Sequence, residues 1–502
     1  MLKKIKGLLL ENKTASQTVA KNTFWLTVSN VGGRLLRAVI IIYSARVLGA
    51  SDWGIFSYAV SLVAFITVFT DIGISPMLVR ETAKSREDPK TRTQIISTSF
   101  LIRAALLAVG ILVVIFGAPH FTTIAGVRVI LPIVTFILIF DTFRDFGFSI
   151  VRAMEKMEWE AVLFLFTNLA IVVFGFVFLY LSKTVTALTY SYALGTGIGT
   201  AATIFALRKD FKGVFSNFSF PFAKYLISSA WPFAIAAILG VLMINTDILI
   251  IGWLRSAEDV GLNSAAQRIV QLLYLLPAIL STSLLPSFAR LAAKKDNEKL
   301  RGALEKILGA LFLAAIPMVV GGVVLGKEIM NLLFGAGYAG GTPSFQILLV
   351  TILIDFPAGV LSTMIFAYNR QKNITIYSAI GGVSNALLDL ALIPTFGITG
   401  SAIATLAAQF FSNAYLRHVA KKINGFKILP YLRRTFLAAA VMLALVLTLK
   451  ALGVNVILNI AAAAVLYFGL LFVLKEPLLR EIKLILQPAA LAAPKNDEPV
   501  AL

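Results

Sequence analysis

The chain has 502 residues, 58% of them hydrophobic and 14% charged, with a formal net charge of +20 and no cysteine. Soluble domains carry about 25% charged residues, so an ordinary soluble enzyme and a disordered chain are both excluded, and a polytopic helical membrane protein remains. Disulfides, thiol nucleophiles and Cys-ligated metals are ruled out, and the two histidines, His120 and His418, lie too far apart in sequence to suggest a metal site.

Taken in chain order, residues 1–21 read as a cytoplasmic N-terminal segment. Its start, MLKKIKGLLLENK, has a short apolar stretch and no small-residue cleavage site, which predicts a surface helix rather than a signal peptide. A helix needs about 20 apolar residues to cross roughly 30 Å of hydrocarbon. Runs of that kind predict spans at 22–45, 54–78, 96–117, 129–151, 161–182, 185–207, 225–253, 260–287, 307–326, 343–368, 374–394, 399–416, 434–449 and 452–474, about fourteen helices in all. The alternation of a barrel strand is missing, so the expected fold is an all-α polytopic membrane protein. Residues 485–502 read as a cytoplasmic tail, and no loop is long enough for a separate aqueous domain.

The positions of the charges orient these spans. With both termini inside, the cytoplasmic segments hold most of the 45 Lys and Arg, in clusters such as Lys3/Lys4/Lys6, Arg80/Lys84/Arg86/Lys90/Arg92 and Lys421/Lys422/Lys427/Arg433/Arg434. The outer loops hold only Arg46, Arg128, Lys183, Arg255, Lys327 and Lys450. This positive-inside bias predicts a multi-pass protein of the cytoplasmic (inner) membrane. It explains the charge as topology and attraction to anionic lipid, with no nucleic-acid surface implied.

Self-similarity organises the chain further. Residues 50–63, ASDWGIFSYAVSLV, and 257–270, AEDVGLNSAAQRIV, match at six of fourteen positions at an offset of 207, including Ala50/Ala257, Gly54/Gly261 and Ser57/Ser264. A weaker echo pairs Asp141 with Asp355 and Ala153 with Ala367. Both fit one duplication of six helices. Six is even, so the copies are expected as parallel pseudo-two-fold repeats: an N-lobe at 22–207, a C-lobe at 225–416, and helices 13 and 14 at 434–474 as an appendix.

These residues also resemble a known family. RVLGASDWGIFSYAVSLV (46–63) and DIGISPMLVRETAK (71–84) are similar to the first helical hairpin and the end of the second helix of lipid-linked oligosaccharide flippases of the Wzx type. LLFGAGYAGGTPSFQILL (332–349) and IPTFGITGSAIAT (393–405) are similar to their approach to helix 10 and their helix 11–12 turn. The likeness covers about 20–475. That family lies within the multidrug/oligosaccharidyl-lipid/polysaccharide exporter superfamily. The resemblance implies a two-lobe transporter that moves a polyprenyl-linked oligosaccharide to the outer leaflet by alternating access, with membrane lipid around it and one chain sufficing as a monomer.

Charges inside the spans carry the candidate site. One such charge costs about 2.5–3.5 kcal/mol on insertion scales, so it is expected to face a bundle interior or a watery cavity. Thr23, Thr27, Asn30, Arg34 and Arg37 recur at spacings of four and three and share one face of helix 1. Helix 3 adds Arg103 and helix 8 adds Arg268. A guanidinium fork fits phosphate oxygens bidentately, so Arg34, Arg37 and Arg268, with Asn30 and Arg103, are the expected substrate-binding set. The resemblance supports arginines on the first and eighth helices. Pairing with acids of other helices, or snorkelling in the case of Arg103, is the structural alternative.

The acids temper a purely basic cavity. Asp141, Arg144 and Asp145 are spaced to neutralise one another. Asp71 and Asp389 lie near expected helix ends. Asp247 and Asp355 are more isolated and, with Asp141, are the candidates for coupling to H⁺ or to Na⁺ held with oxygens such as Asn245. No other cofactor is expected. GAGYAGGT (335–342) lacks the Lys-Ser/Thr of a P-loop and reads as a turn. Trp25 and Trp53 fit an interfacial belt. A cation-coupled multidrug antiporter of the same superfamily is the competing function. A membrane enzyme is disfavoured, because no paired catalytic carboxylates or metal cluster are evident.

Overall fold

The computed structural model describes residues 11–12, 14–85, 88–120 and 122–479. The predicted surface helix falls almost wholly outside these residues, and the predicted tail wholly outside. Among the described residues there is no strand. The helices are α1 (Ala15–Asp71), α2 (Ile74–Lys84), α3 (Pro89–Leu112), α4 (Ala125–Ala153), α5 (Met157–Leu181), α6 (Val185–Ala206), α7 (Phe220–Leu254) and α8 (Ala257–Leu273). They continue with α9 (Leu275–Ala293), α10 (Asn297–Val324), α11 (Gly326–Phe334), α12 (Thr342–Ala367), α13 (Gln371–Ile423), α14 (Leu429–Ala451) and α15 (Val456–Val473).

The differences from the predicted spans have local causes. Thr14 caps α1 by accepting from the Gln17 amide at 3.2 Å. Asp88 caps α3 by accepting from the Lys90 and Thr91 amides at 3.0 and 3.2 Å. Asp296 caps α10 by accepting from the Lys299 amide at 3.1 Å. Each cap satisfies amides that a helix start leaves orphaned, so these helices begin well before their apolar stretches do. Gly49 in α1 (φ 80°) and Gly397 in α13 (φ 58°) adopt left-handed backbone. Each of these long helices is therefore two predicted spans joined at a turn that glycine makes without strain. The predicted second span stops at Asp71, where Ile72 (φ 38°) and Gly73 (φ 81°) break the backbone before α2. The predicted eighth span is interrupted at Tyr274, between α8 and α9. The 335–342 stretch is a turn of 3₁₀ helix at Ala336–Gly341.

Among the described residues, eleven helices are long and apolar enough to cross a membrane. The protein is a multi-pass membrane protein. Two of the eleven hold the pairs joined at Gly49 and Gly397, and α6, rich in Thr and Gly, falls outside the eleven.

The chain divides into two compact units. The first comprises Met1–Arg268, Leu333–Gly341 and Gly382–Ala404, and the second Ile269–Leu332, Thr342–Gly381 and Thr405–Leu502. In the first, α5 packs on α6 and on α1, and α4 packs on α6. Lipid supplies no hydrophobic drive between helices, so close packing of small residues and interhelical hydrogen bonds must hold them. The repeated motif shows this directly. A methyl on Gly54 would overlap the carbonyl oxygen of Ala257, and one on Gly261 would overlap that of Ala50. Ser264 donates to Ser57 at 3.2 Å, across the same offset of 207. The two copies of the motif pack on each other reciprocally, as a two-fold relation requires. Trp53 is buried there, 2% exposed and 5.7 Å from the Phe56 ring, and so does not belong to an interfacial belt.

In the second unit, α10 packs on α12 and α14, α9 on α12, and α14 on α15. The last two helices are pinned by interhelical bonds. The Tyr467 hydroxyl donates to the Leu313 carbonyl at 2.8 Å, Asn459 donates to the Val446 carbonyl at 3.1 Å, and Lys450 pairs with Glu328 at 3.0 Å.

Candidate functional site

The first unit encloses a cavity of about 520 Å³. Leu26, Ser29, Asn30 and Arg37 of α1 form one wall, Asp71 and Ser75 flank the break after α1, and Arg103 enters from α3. Asp141, Arg144, Asp145, Phe148 and Arg152 come from α4, and Glu160 and Phe164 from α5. The charged wall holds Arg37, Arg103, Arg144 and Arg152 against Asp71, Asp141, Asp145 and Glu160, so its formal charges balance.

Three of these arginines are locked by carboxylates. Arg144 bridges Asp141 at 2.6 Å and Asp145 at 3.0 Å, one turn apart on its own helix. Arg152 donates through Nε to Glu160 at 2.8 Å. Arg103 donates to the Ser75 hydroxyl at 2.9 Å and lies 3.5 Å from Asp71. Asp71 in turn accepts from the Ser75 amide at 3.0 Å and hydroxyl at 2.8 Å, which closes the helix break with a cap. Arg103 is 3% exposed, so it is a buried ion-pair partner and does not snorkel. Arg37 differs from all three. Its Nε donates to the neutral Asn168 Oδ1 at 2.6 Å, and its guanidinium lies 5.8 Å from the centroid of the Phe164 ring. Among the described residues no carboxylate lies within ion-pair distance of it, and its two terminal nitrogens have no hydrogen-bond partner.

The other predicted substrate residues distribute unevenly. Asn30 is on the wall, with its amide donating to the Leu26 carbonyl at 2.8 Å. Arg34 is exposed and does not line the cavity. The lining face of α1 runs through Leu26, Ser29, Asn30 and Arg37, which turns it by about 60° from the predicted polar stripe and leaves Arg34 off its edge. Arg268 is half-buried and also off the wall, within electrostatic reach of Arg37 and Asp247.

The predicted coupling acids fall in three places. Asp141 belongs to the Arg144 pair. Asp247, 3% exposed, accepts from Gln267 at 2.9 Å and Asn263 at 3.4 Å, both on α8. Asn245, two residues before Asp247, is half-buried. Asp389 lies within electrostatic reach of Asp247 and accepts from Asn385 at 2.7 Å. Four buried acceptors in this group receive no hydrogen bond: Asp247 Oδ1, Asp389 Oδ1, Asn263 Oδ1 and Gln267 Oε1. Asp355 lies in the second unit, on a cavity of about 280 Å³ with Tyr274, Tyr377 and Gln409. Its oxygens accept from the Tyr274 hydroxyl and from Asn413, each at 3.0 Å. No cluster of three or more His, Cys, Asp or Glu able to hold a metal occurs among the described residues.

The family model described as polysaccharide biosynthesis protein matches residues 19–292, more than half of the chain. The chain belongs to this family. A second model, MatE, matches residues 232–391. The chain is 23% identical over 403 residues to a putative O-antigen transporter of Shigella flexneri, covering 77% of this chain and 94% of the relative. It is 24% identical over 462 residues to a probable flippase, AglR, of Haloferax volcanii, covering 88% and 92%. In fold it is similar to the lipid II flippase MurJ in an inward closed conformation, with a TM-score of 0.72 at 18% identity over 90% of this chain and 99% of that one. A multidrug resistance MATE family transporter in an inward-facing conformation aligns with a TM-score of 0.56 at 14% identity, over 79% and 94%.

In this polysaccharide biosynthesis protein, two site residues escaped the sequence reading. Asn168 sits in an otherwise apolar run; a lone amide in the middle of a span was the available signal. Asp389, placed near a helix end, lies about two turns before the Gly397 turn and is 0% exposed. The pairing of Arg152 with Glu160, eight residues and one turn away, joins two helices and has no periodic signature.

Proposed function

We propose that this member of the polysaccharide biosynthesis protein family is a flippase. It carries a polyprenyl-(di)phosphate-linked oligosaccharide across the cytoplasmic (inner) membrane by alternating access, for cell-surface polysaccharide or glycan assembly. It works as a monomer of two lobes with both termini cytoplasmic, the orientation that the Lys and Arg clusters favour. The observation that carries this reading is Arg37, the one arginine on the cavity wall whose terminal nitrogens are free. A headgroup phosphate must have its charge masked on the way through the membrane, and a free guanidinium fork does that bidentately. The relatives named as an O-antigen transporter and a glycan flippase support the same class.

The antiporter alternative asks for a free carboxylate to receive a cationic drug. The cavity offers none, since Asp71, Asp141, Asp145 and Glu160 each face an arginine. No catalytic residues are proposed.

Coupling is assigned to the Asp247–Asp389 group. A buried acceptor without a donor costs about 1–3 kcal/mol, and two buried carboxylates within electrostatic reach of each other repel. Protonation of one carboxylate, or Na⁺ bound at them, would relieve both. The residues fit either, and neither makes the cation a cofactor of any chemical step.

The test is flipping in proteoliposomes. A fluorescent polyprenyl-diphosphate sugar is loaded, and its quenching is followed from one leaflet. Transport that depends on a Na⁺ or H⁺ gradient, and loses that dependence in Asp247→Asn, is expected. Cation-driven dye efflux without lipid flipping would overturn the flippase reading.

A further inference from the structure

The cavity holds four arginines but only one with free terminal nitrogens, and what distinguishes that one is its partner. Asn168 is 0% exposed on α5. Its Nδ2 donates to the Phe164 carbonyl at 2.7 Å, which fixes the amide so that Oδ1 faces Arg37. The Arg37 Nε takes that oxygen at 2.6 Å, and the Phe164 ring stands beside the guanidinium at 5.8 Å. Gly33, one turn before Arg37, admits this shelf: a side chain there would overlap the Phe164 ring and come within 3.2 Å of the Asn168 amide nitrogen.

A neutral acceptor at this position has a specific consequence. A carboxylate would also accept from the Arg37 Nε, but it could not donate to the Phe164 carbonyl and it would pair with the guanidinium charge, as the acids do for Arg103, Arg144 and Arg152. An apolar residue would leave the guanidinium on a flexible stem. An amide orients the fork without an ion pair on it, with both terminal nitrogens available for two oxygens of one phosphate. Cation–π contact with Phe164 adds to the hold without neutralising it.

We propose that Asn168 is the positioning residue of the phosphate site: it holds the Arg37 guanidinium by Nε so that its terminal nitrogens receive the headgroup (di)phosphate of the lipid-linked substrate. This rests on the flippase reading above.

The test is binding of farnesyl diphosphate to the full chain in detergent, followed by titration calorimetry, with thermal unfolding of each variant alongside. Wild type is expected to bind. Asn168→Ala is expected to weaken binding about tenfold, the size of one lost hydrogen bond to a charged group. Asn168→Asp keeps the acceptor but loses the hydrogen bond to the Phe164 carbonyl; with unfolding checked alongside, it is expected to weaken binding at least as much, because Arg37 then becomes a locked ion pair. In an Arg37→Lys background, which lacks Nε, Asn168→Ala is expected to add nothing. If wild type binds and Asn168→Asp binds equally well with unchanged unfolding, Asn168 is a structural partner only and the assignment falls. If wild type does not bind farnesyl diphosphate at all, the (di)phosphate reading of the whole site falls with it.

Discussion

The two cavities solve the same problem, a carboxylate held inside a membrane protein, in opposite ways. In the first unit, Asp71, Asp141, Asp145 and Glu160 are each met by an arginine. In the second, Asp355 is met by neutral donors alone, the Tyr274 hydroxyl and the Asn413 amide. Charge neutralised by charge produces a polar wall in which each pair has at least one buried member, Arg103, Arg144 or Glu160, that is costly to leave without its partner. Charge solvated by hydroxyl and amide remains free to change. The first cavity therefore reads as a framework that leaves one arginine, Arg37, without an ion-pair partner, and the second as a hydrogen-bonded brace. Tyr274 stands at the break between α8 and α9, so Asp355 ties that break to α12.

The contrast can be broken most severely at Arg37. Arg37→Ala is expected to lower the initial rate of flipping by at least a hundredfold, of the order of the several kcal/mol that a charged group contributes to a desolvated phosphate. Its unfolding temperature is expected to stay near that of wild type. Arg34→Ala, exposed and off the wall, is expected to change the rate by less than about threefold.

Stability is expected to suffer most where the repeated motifs meet. Gly54→Ala and Gly261→Ala each place a methyl against a backbone carbonyl of the other copy, which only a shift of the helices can relieve, so each is expected to cost about 3 kcal/mol or more, the upper end of overpacking. Reciprocal packing predicts similar losses for the two. A large loss at one and none at the other would contradict the two-fold relation.

Arg144→Ala tests the framework. It strands Asp141 and Asp145, whose side chains are 26% and 46% exposed, around an arginine that is 4% exposed, and a loss of about 1–3 kcal/mol of stability is expected, below that of a fully buried pair. Arg144→Met combined with Asp141→Asn and Asp145→Asn is expected to recover most of that loss in thermal unfolding. Recovery would show that the triad supports structure; persistent loss of flipping at restored stability would assign Arg144 to the substrate as well.

The least effect is expected at Asp355→Asn. The Asn413 amide can still donate to the remaining oxygen, so a change below about 1 kcal/mol is anticipated, with flipping within twofold of wild type. Loss of cation dependence in this variant, and not in Asp247→Asn, would move the coupling site to the second unit.

Much of the architecture was legible in the sequence because membrane helices announce themselves by length and hydropathy. The reciprocal contact of Gly54 and Gly261 was foreshadowed by the offset of 207. Arg37 was legible because a mid-span arginine is rare enough to demand a reason. What the sequence could not show was geometry between helices. Arg34 shares a periodic stripe with Arg37, yet the neighbours of α1 turn the lining face toward Leu26 and Ser29. Trp53 looked interfacial by residue type, whereas the motif contact buries it. Asp389 looked interfacial because it lies near the end of a span, whereas the packing there leaves it 0% exposed.

The central claim is that the substrate phosphate is taken by Arg37 while the other cavity arginines keep their carboxylates. A structure of the protein with a polyprenyl diphosphate bound tests it most directly. Phosphate oxygens are expected within about 3.2 Å of both Arg37 terminal nitrogens, with the Arg144–Asp141 and Arg152–Glu160 pairs intact. Phosphate seated on Arg103 or Arg144, with those ion pairs opened and Arg37 still idle on Asn168, would contradict it.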